Sequence, residues 1–362
     1  MNYLIEKLKS RTLLLKVCGV FMKAMRVHEY GKPLKLDEVE VKKPGPKEAL
    51  VKIEACGVCH TDVHLAEGAL KTEYFGGKRP WILGHEIAGN VVEAGSEVTD
   101  VNVGDTVLVD AWTAYTCGTC MPCRTGVENC CINNTPIGFG KDGGYAEYIT
   151  VPAKALIKIE KLKPQDFASL ACGGVTVFRA LRKAAVTPSD TVVVYGAGGL
   201  GMFAVQLAKL MGSTVIAVSR SAEKLEMAKK FGADHVVDAS KDPVNDVWKL
   251  TNGRGANVVL DLVGLEQTLE NGLKMLGVLG RFLVVGVGPG PLKCLPDTAV
   301  NFELTISGVK VGTHKDLVDL VELAKKGFVK PVTTQTFKLE EANEALEKVK
   351  KGEILGRCVI KP

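Results

Sequence analysis

Residues 191–201, TVVVYGAGGLG, constrain what this chain can fold into more than any other stretch. A β-branched apolar strand runs directly into Gly196, Gly198 and Gly201, and an amphipathic helix follows over residues 200–211. A dinucleotide needs this arrangement. The first glycine permits the tight turn, the second lets a pyrophosphate approach the backbone, and the third lets helix and strand pack closely. Gly199 and Leu200 open the helix, whose free amide groups then face anionic charge. A merely flexible glycine turn would not need the strand before it, the helix after it and a second strand at residues 214–219. That second strand ends on Ser219, Arg220 and Ser221, where an enzyme using NAD ordinarily carries a carboxylate for the adenosine ribose. A carboxylate there would repel a 2'-phosphate, whereas a guanidinium and hydroxyls receive one, so these residues favour NADP(H) over NAD(H). The competing reading makes Arg220 a solvated side chain, or one stacked on adenine in an NAD enzyme.

The alternation continues through a helix at 222–231 and strands at 258–262 and 281–287, a βαβ pattern that implies a parallel sheet. Residues 23–151 read differently. Short apolar runs at 49–55, 87–93, 105–110 and 145–151 are separated by glycine and proline, as in a mostly β domain, and a strand-like segment occupies 23–30. Two helical segments, 316–326 and 340–351, and a strand at 357–361 close the chain. A length of 362 residues suits two domains. With a net charge of +5 and no dense Lys/Arg tract, nothing points to nucleic acid. The apolar residues 13–15 and 17–21 are broken by Lys16 and too short to span a bilayer, so residues 1–21 read as an extension rather than an anchor or targeting signal.

Eleven cysteines, an odd number, indicate a reducing cytoplasmic setting rather than a disulfide framework, because several stand at metal-ligand spacing. Cys117, Cys120, Cys123 and Cys131 form C-x2-C-x2-C-x7-C inside a polar loop. Four soft ligands suit a tetrahedral structural zinc, which replaces the core that such a loop lacks. Disulfides between cysteines two residues apart close strained rings. An iron–sulfur cluster uses the same four thiolates. Cys130 competes with Cys131 as fourth ligand, and the x7 spacing favours Cys131.

Three further motifs, GHEIAGNVVEAG at 84–95, CGVCHTDVH at 56–64 and LACGGVT at 170–176, together with the cysteine lobe and the glycine turn, resemble the zinc-dependent medium-chain alcohol dehydrogenase family. The match runs from about residue 23 to the C-terminus. The resemblance implies Cys59, His85 and Cys172 as ligands of a catalytic zinc, with Glu86 beside the metal and near an arginine such as Arg357. Two thiolates and an imidazole leave a fourth position for a substrate oxygen, and the dication lowers the pKa of a coordinated alcohol. Taken singly, each of these residues reads as ordinary core or a free thiol. By position, Thr61 matches the hydroxyl that hydrogen-bonds the alcohol, His64 the end of the proton relay, and Asp62 the carboxylate that orients the histidine ligand. His60 and Thr176 match positions touching pyrophosphate and nicotinamide, and Cys56 a packing residue.

The implied fold is α/β: a β-rich GroES-like catalytic domain plus a Rossmann domain with a doubly wound parallel sheet. Its expected division is an N-terminal extension (1–21), the catalytic domain with both zinc sites (22–174), the cofactor domain (175–312) and a C-terminal return (313–362). The implied activity is hydride transfer between a primary or secondary alcohol, or its carbonyl, and NAD(P), by a homotetramer or homodimer with two Zn2+ per subunit. A zincless quinone-reductase relative and a zinc-stabilised binding protein without turnover are the rivals; the intact ligand set and Thr61 argue against both. Trp81, Trp112, Tyr74 and Phe75 are candidate pocket walls.

Overall fold

A computed structural model describes residues 19–362, which form three sheets. The first 150 or so residues supply β1 (Phe21–Val27), β2 (Lys35–Glu40), β3 (Glu48–Gly57), α1 (His60–Glu67), β4 (Trp81–Ile82), β5 (Glu86–Ala94), β6 (Thr106–Asp110), β7 (Tyr148–Pro152) and β8 (Leu156–Lys158). β1 lies between β2 and β4 in a small antiparallel sheet. β3, β5, β6 and β8 run antiparallel side by side, with β7 paired to β3. Alternation dictates the faces: Ala49, Val51, Ile53 and Ala55 of β3 are buried while Lys52 between them is exposed. The expected extension falls outside the described residues as far as Cys18, and Phe21 already belongs to β1.

The chain then enters α2 (Gly173–Lys183), β9 (Thr191–Tyr195), α3 (Gly199–Leu210), β10 (Thr214–Ser219), β11 (His235–Asp238), β12 (Ala256–Asp261), β13 (Leu276–Val284) and β14 (Thr305–Gly308). These six strands are parallel in the order β11-β10-β9-β12-β13-β14, the doubly wound dinucleotide order. Val192, Val193 and Val194 are all fully buried, as a strand covered on both faces requires. The order reverses between β9 and β12, so the crevice at their carboxyl ends is where a ligand fits, and the glycine turn follows β9 directly. β13 begins five residues before the run at 281–287 suggested. Leu276 pairs with Ala256 across an irregularity in register, so tertiary pairing rather than apolar content sets its start.

The remaining elements are α4 (His314–Lys325), β15 (Thr333–Lys338), α5 (Ala342–Lys351) and β16 (Arg357–Lys361). β16 pairs with β15 and, antiparallel, with β3, matching Val359 to Gly57 and Ile360 to Cys56. The C-terminal strand thereby lies beside the strand that delivers Cys59. Among the described residues no helix is long and apolar enough to cross a membrane.

Candidate metal centres and nucleotide turn

Three distant segments converge at one buried point. Cys59 caps α1 just after β3, His85 and Glu86 stand at the head of β5, and Cys172 precedes α2. One ligand atom from each of Cys59, His85, Glu86 and Cys172 lies within 4.8 Å of all the others, and all four residues are buried. Both ring nitrogens of His85 are buried without a hydrogen-bond partner among the described residues, and for Nε2, which faces the cysteines, this is a costly arrangement unless something else binds it. Two sulfurs, an imidazole nitrogen and a carboxylate are the donors zinc prefers, so the residues present fit that ion.

The surroundings orient these donors. His85 Nδ1 is 3.2 Å from Asp62 Oδ1, both side chains being fully buried, while Asp62 Oδ2 accepts the Cys59 backbone N–H at 2.9 Å. Trp112 and Phe139 pack on the His85 ring, with centroids 5.4 and 5.3 Å away. A hydrogen bond from Cys172 holds the Cys59 thiol well below the ordinary range against the effect of burial, with His85 and Arg357 adding to the shift. Burial raises Glu86 to about 7 even though the Arg357 guanidinium opposes it. Glu86 and Arg357 form a buried ion pair.

On α1, the Thr61 hydroxyl lies 3.5 Å from the Cys59 sulfur. The His60 and His64 rings meet edge to face at 5.1 Å, and burial, then His64, depresses the pKa of His60. Thr176 sits one helical turn beyond Cys172, and its hydroxyl donates back to the Cys172 carbonyl at 2.6 Å.

Beyond β9, Gly196 adopts φ +112°, and a Cβ on Gly201 would overlap the Gly196 carbonyl, so both positions require glycine. Gly198 caps α3 and faces open space, leaving its backbone accessible. A Cβ on Gly199 would instead overlap Arg357, which therefore touches both the nucleotide turn and Glu86. At the end of β10, Ser219 Oγ accepts the Ser221 N–H at 3.3 Å, and Ser221 caps the following helix. Arg220 is exposed, and no acidic side chain pairs with it among the described residues.

Cys117, Cys120, Cys123 and Cys131 form a second cluster. Their thiols are free, with Cys120–Cys131 and Cys117–Cys131 sulfur separations of 3.8 and 3.5 Å. Zinc–sulfur bonds of about 2.3 Å place tetrahedral sulfurs about 3.8 Å apart, so this geometry too fits zinc. Backbone N–H groups of Cys117 and Cys120 point at the Cys131 and Cys117 sulfurs, each at 3.4 Å. Cys130 is exposed.

Two family models match: an alcohol dehydrogenase GroES-like domain over residues 45–161 and a zinc-binding dehydrogenase over 199–326. The chain is 43% identical to the NAD-dependent alcohol dehydrogenase of Sulfurisphaera tokodaii over 349 residues, covering 94% of this chain and 100% of the relative. It belongs to the zinc-dependent medium-chain alcohol dehydrogenase family. A second relative, the NAD-dependent alcohol dehydrogenase of Saccharolobus solfataricus, is 41% identical over the same coverage. The crystal structure of the alcohol dehydrogenase from Aeropyrum pernix superposes with a TM-score of 0.87 at 40% identity, covering 94% of this chain and 100% of that one.

Within this dehydrogenase fold, the four aromatic wall candidates separate. Trp112 touches His85, and Phe75 reaches it through Phe139 at 5.2 Å. Trp81 is buried in β4, packs on Tyr30 and donates to the Gly138 carbonyl, while Tyr74 is 75% exposed. Sequence reasoning missed Phe139 and Tyr145 beside the candidate metal centre, since isolated aromatics in a β-rich segment read as packing. It also missed how the cysteine lobe docks: Asn129 donates to the Lys310 carbonyl at 2.6 Å, and Glu128 accepts the His314 N–H at 2.7 Å.

Proposed function

We propose that this chain is a zinc-dependent alcohol dehydrogenase that also works as a carbonyl reductase, exchanging a hydride between a primary or secondary alcohol and a nicotinamide cofactor. The observation that carries this reading is the orphaned His85 Nε2 among Cys59, Cys172 and Glu86, tied through Arg357 to the glycine turn. Zinc held by Cys59, His85 and Cys172 supplies Lewis acidity toward the substrate oxygen. Thr61, beside the Cys59 sulfur, accepts the alcohol proton, and His64 passes it toward solvent as the hydride leaves the carbinol carbon. In reduction both transfers reverse. His60, Thr176 and residues 196–201 hold the cofactor, and Arg357 screens the turn from the Glu86 carboxylate. Cys117, Cys120, Cys123 and Cys131 hold a second, structural zinc. Residues 22–174 with 313–362 thus carry both metals, residues 175–312 carry the nucleotide, and the assembly is a cytoplasmic homotetramer or homodimer.

For the cofactor, the absence of a carboxylate at Ser219–Ser221 and the exposed Arg220, which pairs with no acidic side chain among the described residues, support NADP(H). The NAD-dependent relatives at 43% and 41% identity support NAD(H) as the second reading. A panel of aliphatic and aromatic alcohols, aldehydes, semialdehydes and polyols, run with both cofactors, tests both. No cofactor reduction with any alcohol by zinc-loaded protein sinks the activity, and equal or higher kcat/KM with NAD sinks the NADP(H) reading.

A further inference from the structure

Tyr145 is among the largest fully buried side chains of the molecule, and its position is set from both sides. Its backbone N–H donates to the Leu83 carbonyl at 2.9 Å, and its carbonyl accepts the Met25 N–H at 2.8 Å. The ring then lies against Gly84, the residue before His85: a Cβ there would come within 2.5 Å of the ring Cδ1, and φ at Gly84 is +96°. A Phe would fill the same space. What Tyr adds is a buried hydroxyl, which needs a partner, and it finds Asp62 Oδ2 at 3.1 Å. That oxygen also accepts the Cys59 N–H, while the other oxygen of Asp62 faces His85 Nδ1. A single carboxylate therefore touches two of the residues proposed to hold the catalytic zinc, one through the backbone and one through the ring.

We infer that Tyr145 is a positioning residue for the catalytic metal centre: its hydroxyl fixes the Asp62 carboxylate, and its ring fixes the backbone that carries His85. With the hydroxyl gone, the Cys59 amide is the one hydrogen-bond donor left to Asp62 among the described residues, its other oxygen standing 3.2 Å from His85 Nδ1, and the plane of the carboxylate is free to turn. The imidazole then loses its fixed orientation toward the metal. The inference rests on the reading of Cys59, His85 and Cys172 as zinc ligands.

Zinc release from the loaded protein into excess chromophoric chelator tests it. The phase missing from Cys172→Ser reports the catalytic centre, and the remaining phase, from the cysteine lobe, is an internal control. Tyr145→Phe is expected to speed the catalytic phase roughly 3- to 10-fold, less than the 10- to 100-fold of a direct partner, and to leave the lobe phase unchanged. In an Asp62→Ala background the same substitution is expected to add nothing. An unchanged or slower catalytic phase, equal acceleration of both phases, or an undiminished effect in the Asp62→Ala background overturns the inference. A wild-type protein that shows only the lobe phase overturns the zinc-ligand reading instead.

Discussion

Arg357, at the start of the last strand, forms a buried ion pair with Glu86, the residue after His85. The pair joins β16 to β5 at the point where the candidate metal ligands and the glycine turn meet. Burial already raises Glu86 to about 7 with the guanidinium present. Arg357→Met leaves that carboxylate without a partner, and breaking a buried pair in this way costs about 3–5 kcal/mol. Urea unfolding of the variant is expected to show a loss of that order. Adding Glu86→Gln is expected to recover part of it, because the uncompensated charge goes too; a double variant as unstable as the sum of the singles refutes this account.

Asp316 governs part of the acid limb of stability. Burial pushes its pKa up, but the Thr313 amide, then Arg179 and the Thr313 hydroxyl, outweigh burial and leave it depressed. Arg179 and Arg182 of α2 lie 2.8 and 3.0 Å away, so the carboxylate also joins α2 to α4. Its contribution is complete above the unfolded value of about 3.9 and disappears as pH falls through the lower folded value. Unfolding free energies measured from pH 7 downward should therefore fall less steeply at the acid end for Asp316→Asn, which also starts lower by about 1 kcal/mol from the weakened helix cap. A parallel acid limb rules the assignment out.

His314, two residues earlier, behaves in the opposite sense. Its hydrogen bond to Asp110, 3.0 Å away, raises its pKa despite partial burial. The stability it adds is complete below the unfolded value of about 6.5 and is lost as pH rises through the higher folded value. Because over a third of the side chain is exposed, the gain is on the order of 0.5 kcal/mol. His314→Gln should remove that fall in stability on the alkaline side of neutrality, detectable by thermal unfolding across pH 6 to 9. A wild-type curve flat across this range contradicts it.

The end of β10 should control cofactor choice. Ser219→Asp places a carboxylate where a 2'-phosphate would lie, and the ratio of kcat/KM for NADP to that for NAD should fall at least about 100-fold, or ~2.7 kcal/mol. An unchanged ratio places the phosphate elsewhere.

The cysteine lobe should be separable from the chemistry. Cys120→Ser is expected to lower bound zinc by one equivalent per chain and to lower the Tm, while zinc at Cys59, His85 and Cys172 stays. Unaltered zinc content disproves the structural site.

Much of this was legible because the signals are local. The turn at Gly196–Gly201 and the lobe at Cys117–Cys131 each lie within one short stretch, so spacing alone exposes their chemistry. The reading of Cys59, His85 and Cys172 as ligands came from family resemblance, since no spacing rule links residues on three separate elements. Strand limits were less legible: the run at 145–151 starts three residues before β7, because Tyr145 bonds to Leu83 outside the β3 ladder.

By itself, then, the sequence determined the βαβ order, the glycine turn and a four-thiol loop, because backbone sterics and metal-ligand geometry act over a few neighbouring residues. The family resemblance pointed to an arginine such as Arg357 near Glu86, and the tertiary structure brings the two together from 271 positions apart; only that structure decided that Tyr145 bonds to Asp62 across 83, and that Trp112 and Phe139 close on His85. Such contacts arise from how sheets pair and pack, and pairing between distant strands leaves no periodicity in the residues it joins.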